Sequence, residues 1–299
     1  MKRAVIDLGT NTFNLLIAEV EGESFTVIFK TKEAVLLGMG GINEGILAED
    51  AIQRAMTALE NFLKITDEHG ILPGNISAFG TSALRAASNA EKFCSLVMGS
   101  FGINIDIISG EYEAQLIYQG VKWSYDFSAP AVIMDIGGGS SEFIHATKTG
   151  VRDIVSFDIG VSRIFQQLNK PTVYGQEEVD SIYQFMNSRE MERLSSFSCD
   201  TLIGSSGSFE TFYEMINQTK FEASNNIIEL NIEEFMVQLD WAIKSTLDER
   251  MNHPWIIPIR KKMLPIAALQ IKWAIQKIGV KRMLLSSYSL KEGGLIEKK

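Results

Sequence analysis

Two carboxylates bracket a glycine run in the stretch Ala131-Val132-Ile133-Met134-Asp135-Ile136-Gly137-Gly138-Gly139-Ser140-Ser141-Glu142-Phe143-Ile144. An apolar strand delivers Asp135 into the glycines, and a second strand resumes with Glu142. Glycines let a backbone turn with φ > 0 and bring bare N–H groups against an anion, while Asp135 and Glu142 can hold a hard cation or a water. The chemistry this suits is phosphate binding, with Gly137, Gly138, Gly139 and Ser140 as donors. A plain hairpin turn explains the same residues, and the stretch alone does not decide between them.

A displacement of 128 residues lays Ala4-Val5-Ile6-Asp7-Leu8-Gly9-Thr10-Asn11-Thr12-Phe13-Asn14 onto that stretch, with Asp7 on Asp135 and Gly9 on Gly137. The chain therefore holds two strand, Asp-x-Gly, strand units, which points to a duplication. Facing one another across a cleft, they would clamp a phosphate chain from both sides.

The elements that must position these residues repeat as well. Strands over 3–8, 12–20 and 24–30 with turns at Gly9-Thr10-Asn11 and Glu21-Gly22-Glu23 form a meander. A helix opens at Ala48-Glu49-Asp50, a strand covers 75–80, a helix capped by the hydroxyls of Thr81 and Ser82 runs to about Gly99, and a strand covers 103–109 before a helix from Glu111. The second half has strands over 131–136, 141–147 and 151–158, a helix from Val161, a helix from Gln176 to about Leu194 and a strand over 201–203. There follow Gly204-Ser205-Ser206-Gly207, helices over 208 onward, 232–250 and 262–278, a strand over 282–287 and a closing helix from Leu290 to Lys298. Strand, glycine turn and helix start at Ser206 and Gly207 suit an anion, although a turn without a ligand fits equally. The expected fold class is α/β: two similar ribonuclease H-like, actin-like domains with mixed sheets flanking an interdomain cleft. Their spans are 1–122 and 123–287, with 288–299 packing back onto the first. Asp7, Glu113 and Asp135 would meet in the crevice.

Composition narrows the function classes. The chain has 299 residues, 45% hydrophobic and 22% charged, enough for two packed domains. No apolar run reaches the roughly 18 residues of a membrane span, so no membrane partner and a cytoplasmic location are expected. Cys94 and Cys199 suit reduced buried thiols, and His69, His145 and His253 have no metal-ligand spacing. Net charge is −9, yet residues 244–299 hold 12 Lys/Arg against 4 Asp/Glu. Arg260, Lys261 and Lys262, extended by Lys277, Lys281 and Arg282, form either a cationic lane for a polyanion or a basic segment that balances acidic neighbours. Nucleic-acid binding is not expected of an acidic chain without a motif.

Four ordered segments carry a resemblance: Ile6-Asp7-Leu8-Gly9-Thr10-Asn11-Thr12, Gly80-Thr81-Ser82-Ala83-Leu84-Arg85, Ser109-Gly110-Glu111-Tyr112-Glu113-Ala114 and Asp135 through Glu142. Together they resemble the exopolyphosphatase and guanosine pentaphosphate phosphohydrolase (Ppx/GppA) family in its short, two-domain form, within the acetate and sugar kinase, heat-shock protein 70 and actin superfamily. The match continues through Ser205-Ser206-Gly207 and Leu290-Lys291-Glu292-Gly293. The resemblance implies hydrolysis of terminal phosphate from polyphosphate or guanosine pentaphosphate. It implies Glu113 as the group that orients or deprotonates water, and Mg²⁺ held by Asp135 and Glu142 with Asp7 nearby. Phosphate contacts would come from Gly9, Thr10, Asn11, Arg85, Gly137, Gly138, Gly139, Ser140, Ser206, Gly207 and Arg260. A homodimer is left open. Asn14, Ala86 and the run Arg260-Lys261-Lys262 depart from the family pattern and bear on substrate preference. Two other functions on the same fold stay open, an ATP-dependent small-molecule or sugar kinase and a non-catalytic nucleotide sensor; without the family, Glu113 reads first as a solvated glutamate on an amphipathic helix.

Overall fold

A computed structural model describes residues 1–299 except Glu23, Glu190, Ala223, Asn225 and residues 297–299, and the side chains of Met191 and Glu192. The chain divides into two compact units. One is Met1–Gly120 with the segment from Leu290, and the other is Val121–Ser289.

In the first unit, β1 (Lys2–Leu8), β2 (Thr12–Glu21) and β3 (Ser24–Ala34) form an antiparallel meander. Its turn residue Glu23 lies outside the described residues. After α1 (Glu49–Glu68), β4 (Ile76–Gly80) pairs parallel to β1, and β5 (Ile105–Ile107) parallel to β4. The sheet order is β3-β2-β1-β4-β5. Between the last two strands lie α2 (Ser82–Ala86) and α3 (Ala90–Phe101), where the sequence suggests one continuous helix. The break has a cause: Ser88 N donates to Gly45 O at 2.8 Å, and the Asn89 side chain exchanges two bonds with the Leu47 backbone at 2.8 and 2.9 Å. These contacts to a loop 42 residues away outweigh continuation of the helix. The Thr81 hydroxyl donates to Leu8 O rather than capping α2. Next comes α4 (Gly110–Val121), and α11 (Leu290–Ile296) packs on β1 and β2. The closing helix is described only to Ile296, so its expected end at Lys298 lies outside the described residues.

The second unit repeats the order. Strands β6 (Ala131–Ile136), β7 (Ser141–Thr147) and β8 (Gly150–Phe157) are antiparallel, and β9 (Thr201–Gly204) and β11 (Arg282–Leu285) extend the sheet in parallel beyond β6. A sixth strand unforeseen in the sequence, β10 (Ile228–Leu230), pairs antiparallel to β11 at the edge. Three residues are too few for a periodicity to show. The helices are α5 (Val161–Gln167), α6 (Gln176–Asn187), α7 (Gly207–Asn217), α8 (Ile232–Lys244), α9 (Leu247–Asn252) and α10 (Leu264–Ile278). The helix expected over 176–194 stops at Asn187, and the one over 232–250 breaks at Ser245. There Thr246 starts a fresh capping box with Glu249, which satisfies the first amides of α9. Helix α10 is apolar on nearly every side and lies in the core. Among the described residues no helix is long and apolar enough to cross a membrane.

Candidate active site

Sheet topology gathers the motifs. In the first unit the Asp7–Asn14 hairpin follows β1, the 81–85 segment follows β4, and the 109–113 segment follows β5, so all lie at the carboxyl edge of three parallel strands. In the second unit the Asp135–Glu142 hairpin follows β6, Ser205–Gly207 follows β9, and Ser286–Ser289 follows β11, again at one carboxyl edge. Open α/β sheets bind ligands there.

Asp135 and Glu142 are directly opposite on β6 and β7. Directly opposed residues of an antiparallel pair share a face with Cβ atoms about 5 Å apart, and like charges there repel. Glu142 is only 1% exposed, and its Oε1 accepts from Ser156 Oγ at 2.7 Å. Asp135 Oδ2 accepts from two hydroxyls, Ser205 Oγ at 3.0 Å and Ser289 Oγ at 2.7 Å.

The glycine turn between them is tied back on one side. Gly137 O accepts from Val161 N at 3.0 Å, and Gly138 O from Ser162 N at 2.8 Å and Arg163 N at 3.1 Å. Gly139 O accepts from Arg163 Nε at 3.0 Å. In a planar trans peptide the C=O and the following N–H point opposite ways. With these three carbonyls turned toward α5, the amides of Gly138, Gly139 and Ser140 face the other way side by side. Such a row of donors has the geometry that an anion cradle needs.

The sequence argument for these glycines rested on positive φ, and the structure corrects it. Neither Gly9 nor Gly137 adopts a left-handed backbone; what matters is space. A Cβ on Gly9 would lie 2.7 Å from Thr12 O. At Gly160, before α5, a Cβ would lie 2.3 Å from Gly139 N and 2.4 Å from Gly138 C, both backbone atoms that cannot step aside alone. The substitution Gly160→Ala is expected to displace the amide row and to destabilise by about 1–3 kcal/mol, as overpacking does. Thermal melting together with phosphate affinity checks this: an unchanged affinity would mean that the row is not the phosphate site.

The first hairpin is built alike, with one chemical difference. Thr10 O accepts from Gly38 N at 3.0 Å and Asn11 O from Leu36 N at 2.8 Å, which turns the amides of Asn11 and Thr12 away from that segment. Here Asp7 stands opposite Asn14, not a second acid, and Asn14 Nδ2 donates to Asp7 Oδ2 at 2.9 Å. A carboxylate facing an amide donor has no repulsion for a cation to relieve.

Glu113 lies in the first turn of α4, 8% exposed, where the helix dipole favours a negative charge. Arg85 NH1 bridges it to the strand edge, 3.0 Å from Glu113 Oε2 and 2.9 Å from Ile108 O. Ser109 Oγ accepts from Tyr112 N at 3.1 Å, which fixes the start of the helix.

At the β9–α7 turn, Ser206 Oγ accepts from Ile136 N at 3.2 Å, joining this turn to the end of β6. Gly207 leaves room for Arg260, since a Cβ there would lie 1.6 Å from a guanidinium nitrogen. Arg260 NH1 donates to Thr211 Oγ1 at 2.8 Å, and NH2 lies 3.7 Å from Glu210 Oε2. Burial lowers the Arg260 pKa from its ordinary value, and Glu210 and Glu214 act the other way. The basic residues of the C-terminal part have partners of different kinds. Lys281 pairs with Asp200 at 3.0 Å, Arg282 with Glu229 at 2.7 Å, Lys277 lies over the Trp273 ring, and Lys261 Nζ donates to Met251 O.

Four residues of this environment were not read from the sequence: Ser156, Arg163, Ser205 as a partner of Asp135, and Ser289. For Ser205 the signal was present, since its motif had been singled out as an anion turn.

Fold and hairpins define a duplicated α/β protein with a carboxylate–glycine hairpin at the same place in each sheet. The chain belongs to the Ppx/GppA phosphatase family, whose model matches residues 16–299. It is similar to the crystal structure of an exopolyphosphatase from Cytophaga hutchinsonii ATCC 33406, with 30% identity, a TM-score of 0.92, and coverage of 98% of this chain and 96% of that one. Two curated relatives also match. A bifunctional 3-dehydroquinate synthase/phosphatase of Fusobacterium nucleatum subsp. nucleatum is 30% identical over 99% of this chain and 46% of its own length. A guanosine-5'-triphosphate,3'-diphosphate pyrophosphatase of Photobacterium profundum is 31% identical over 71% of this chain and 43% of its own length. The chain thus spans less than half the length of either curated relative.

Proposed function

We propose that the protein is a Mg²⁺-dependent phosphoanhydride hydrolase that releases terminal phosphate from inorganic polyphosphate, guanosine pentaphosphate or both. Family membership supports the class of reaction, and the likeness to an exopolyphosphatase and to a guanosine pentaphosphate-cleaving enzyme supports the substrates. The observation that carries it is the row of amides at Gly138, Gly139 and Ser140, flanked by Asp135 and Glu142. Phosphoryl transfer demands positioning and charge neutralisation more than covalent chemistry.

Each unit carries phosphate-handling residues of its own. In the first, Glu113 accepts a proton from water as the water oxygen attacks the terminal phosphorus, and the bridging P–O bond breaks with its electrons going to the leaving phosphate. Gly9, Thr10, Asn11 and Arg85 lie on the same sheet edge as phosphate contacts. In the second, the amide row, with Ser206, Gly207 and Arg260 beside β9, meets phosphate oxygens. The residues present fit a magnesium ion. Among the described residues no three His, Cys, Asp or Glu side chains cluster as a protein-only cage, while Mg²⁺ is commonly held by one or two carboxylates plus water and phosphate. The opposed pair Asp135 and Glu142 provides such a site and would gain relief of its repulsion. When bound, the ion would neutralise phosphate charge. Asp7, already bonded by Asn14, lacks that argument, so Asp135 and Glu142 are the ligands in this reading.

Purified protein given Mg²⁺ with long-chain polyphosphate, guanosine pentaphosphate, or ATP with mixed sugars tests the proposal. Phosphate release from either of the first two, abolished by EDTA, is expected. Sugar phosphate formation without that release would make the protein a kinase and overturn it.

A further inference from the structure

We propose that Arg163 is a positioning residue that turns the Ser140 amide, the last of the row, toward bound phosphate. This rests on the phosphate reading of the hairpin. The carbonyls of Gly137 and Gly138 are held by backbone amides of Val161, Ser162 and Arg163, which almost any residues could supply. The Gly139 carbonyl is different, because it is held by a side chain, Arg163 Nε at 3.0 Å. The orientation of the peptide between Gly139 and Ser140 therefore depends on the identity of residue 163.

Arginine suits the place for reasons of shape. Its side chain is 10% exposed, and its planar fork lets Nε face Gly139 O while NH2 lies 3.5 Å from Asp158 Oδ1. A lysine has no second donor fixed in the same plane. The flexible Gly138 and Gly139 that precede the held peptide would otherwise allow it to rotate, and rotation would turn the Ser140 N–H away from the row. The guanidinium charge also sits one peptide behind the donors, where it is spared full screening by solvent.

Backbone amide resonances of ¹⁵N-labelled full-length protein, titrated with inorganic phosphate, test the assignment. In wild type, Gly138, Gly139 and Ser140 should all move. In R163M, whose side chain has no donor, the Ser140 response should collapse while that of Gly138 persists. Phosphate affinity should fall about tenfold, the equivalent of one hydrogen bond to a charged group, and KM should rise more than kcat falls. R163K keeps the charge but not the Nε donor and should behave like R163M, which carries the test if R163M does not fold. A wild-type Ser140 response in either folded variant overturns the role of Arg163 alone. If the hairpin amides of the wild-type protein ignore phosphate, the phosphate reading fails and this proposal with it.

Discussion

Glu113→Gln lowers turnover of polyphosphate or guanosine pentaphosphate by about 10²–10⁴-fold and leaves substrate affinity near wild type, the expected loss when a general base is removed. The substitution changes little else in geometry. Glutamine has the same shape, and its Oε1 can still accept from Arg85, which donates to Glu113 Oε2 at 3.0 Å. With side chains only 25% and 11% exposed, the pair is more buried than a surface ion pair, and its replacement by a neutral hydrogen bond costs about 1–3 kcal/mol of stability. A large fall in kcat in a protein that stays folded at the assay temperature, with near-constant binding of substrate, would thus report chemistry and not folding. Retention of full turnover would remove Glu113 from the mechanism.

The second large effect is expected at Glu142. Because Glu142 is buried and stands opposite Asp135, Glu142→Gln should leave the metal-free protein as stable as wild type or slightly more so, the opposed charges being worth a few tenths of a kcal/mol to about 1 kcal/mol. The bond from Ser156 to Oε1 survives the change, since an amide oxygen accepts equally. What should vanish is the response to Mg²⁺. Wild type at a hundredfold excess of Mg²⁺ over its dissociation constant gains about 2.7 kcal/mol by mass action, and E142Q should gain almost none. Loss of the charge neutralisation that a metal supplies, several kcal/mol in the transition state, predicts turnover at least about 10²-fold lower. Melting curves with and without Mg²⁺ decide the matter without an activity assay; a wild-type shift in E142Q would place the metal elsewhere.

The hairpins were legible because their information is local. Asp-x-Gly between two apolar runs, repeated at a displacement of 128 residues, fixes strand, turn and strand, and the register then sets Asp7 opposite Asn14 and Asp135 opposite Glu142. Period-2 and period-3.6 patterns gave the order of elements for the same reason. What the sequence concealed depends on distant partners. The gap between α2 and α3 is set by Gly45 and Leu47, and β10 exists because β11 offers an edge. Arg163 acts on a carbonyl 24 residues away, and Ser289 on a carboxylate 154 residues away. No window along the chain contains both members of such pairs. The glycines differ in kind: close approach and left-handed backbone both call for glycine, and only the folded structure distinguishes them.

The return of α11 to the first unit has a consequence for the order of folding. Residues 121–289 form their unit from one continuous stretch, whereas the first unit receives its last helix from the far end of the chain. Arg3 NH1 donates to Leu295 O across 292 residues, and Gly293 is pressed so closely on α4 that a Cβ would lie 1.9 Å from Leu116 O. During synthesis the inserted unit can therefore close while its neighbour still lacks a piece of its packing, and contacts of such long separation form late. The helix seated last presses on α4, the one that carries Glu113. In a nascent chain the hairpin proposed to hold metal would thus form before the carboxylate proposed to activate water is fixed, and hydrolysis would have to await the seating of α11.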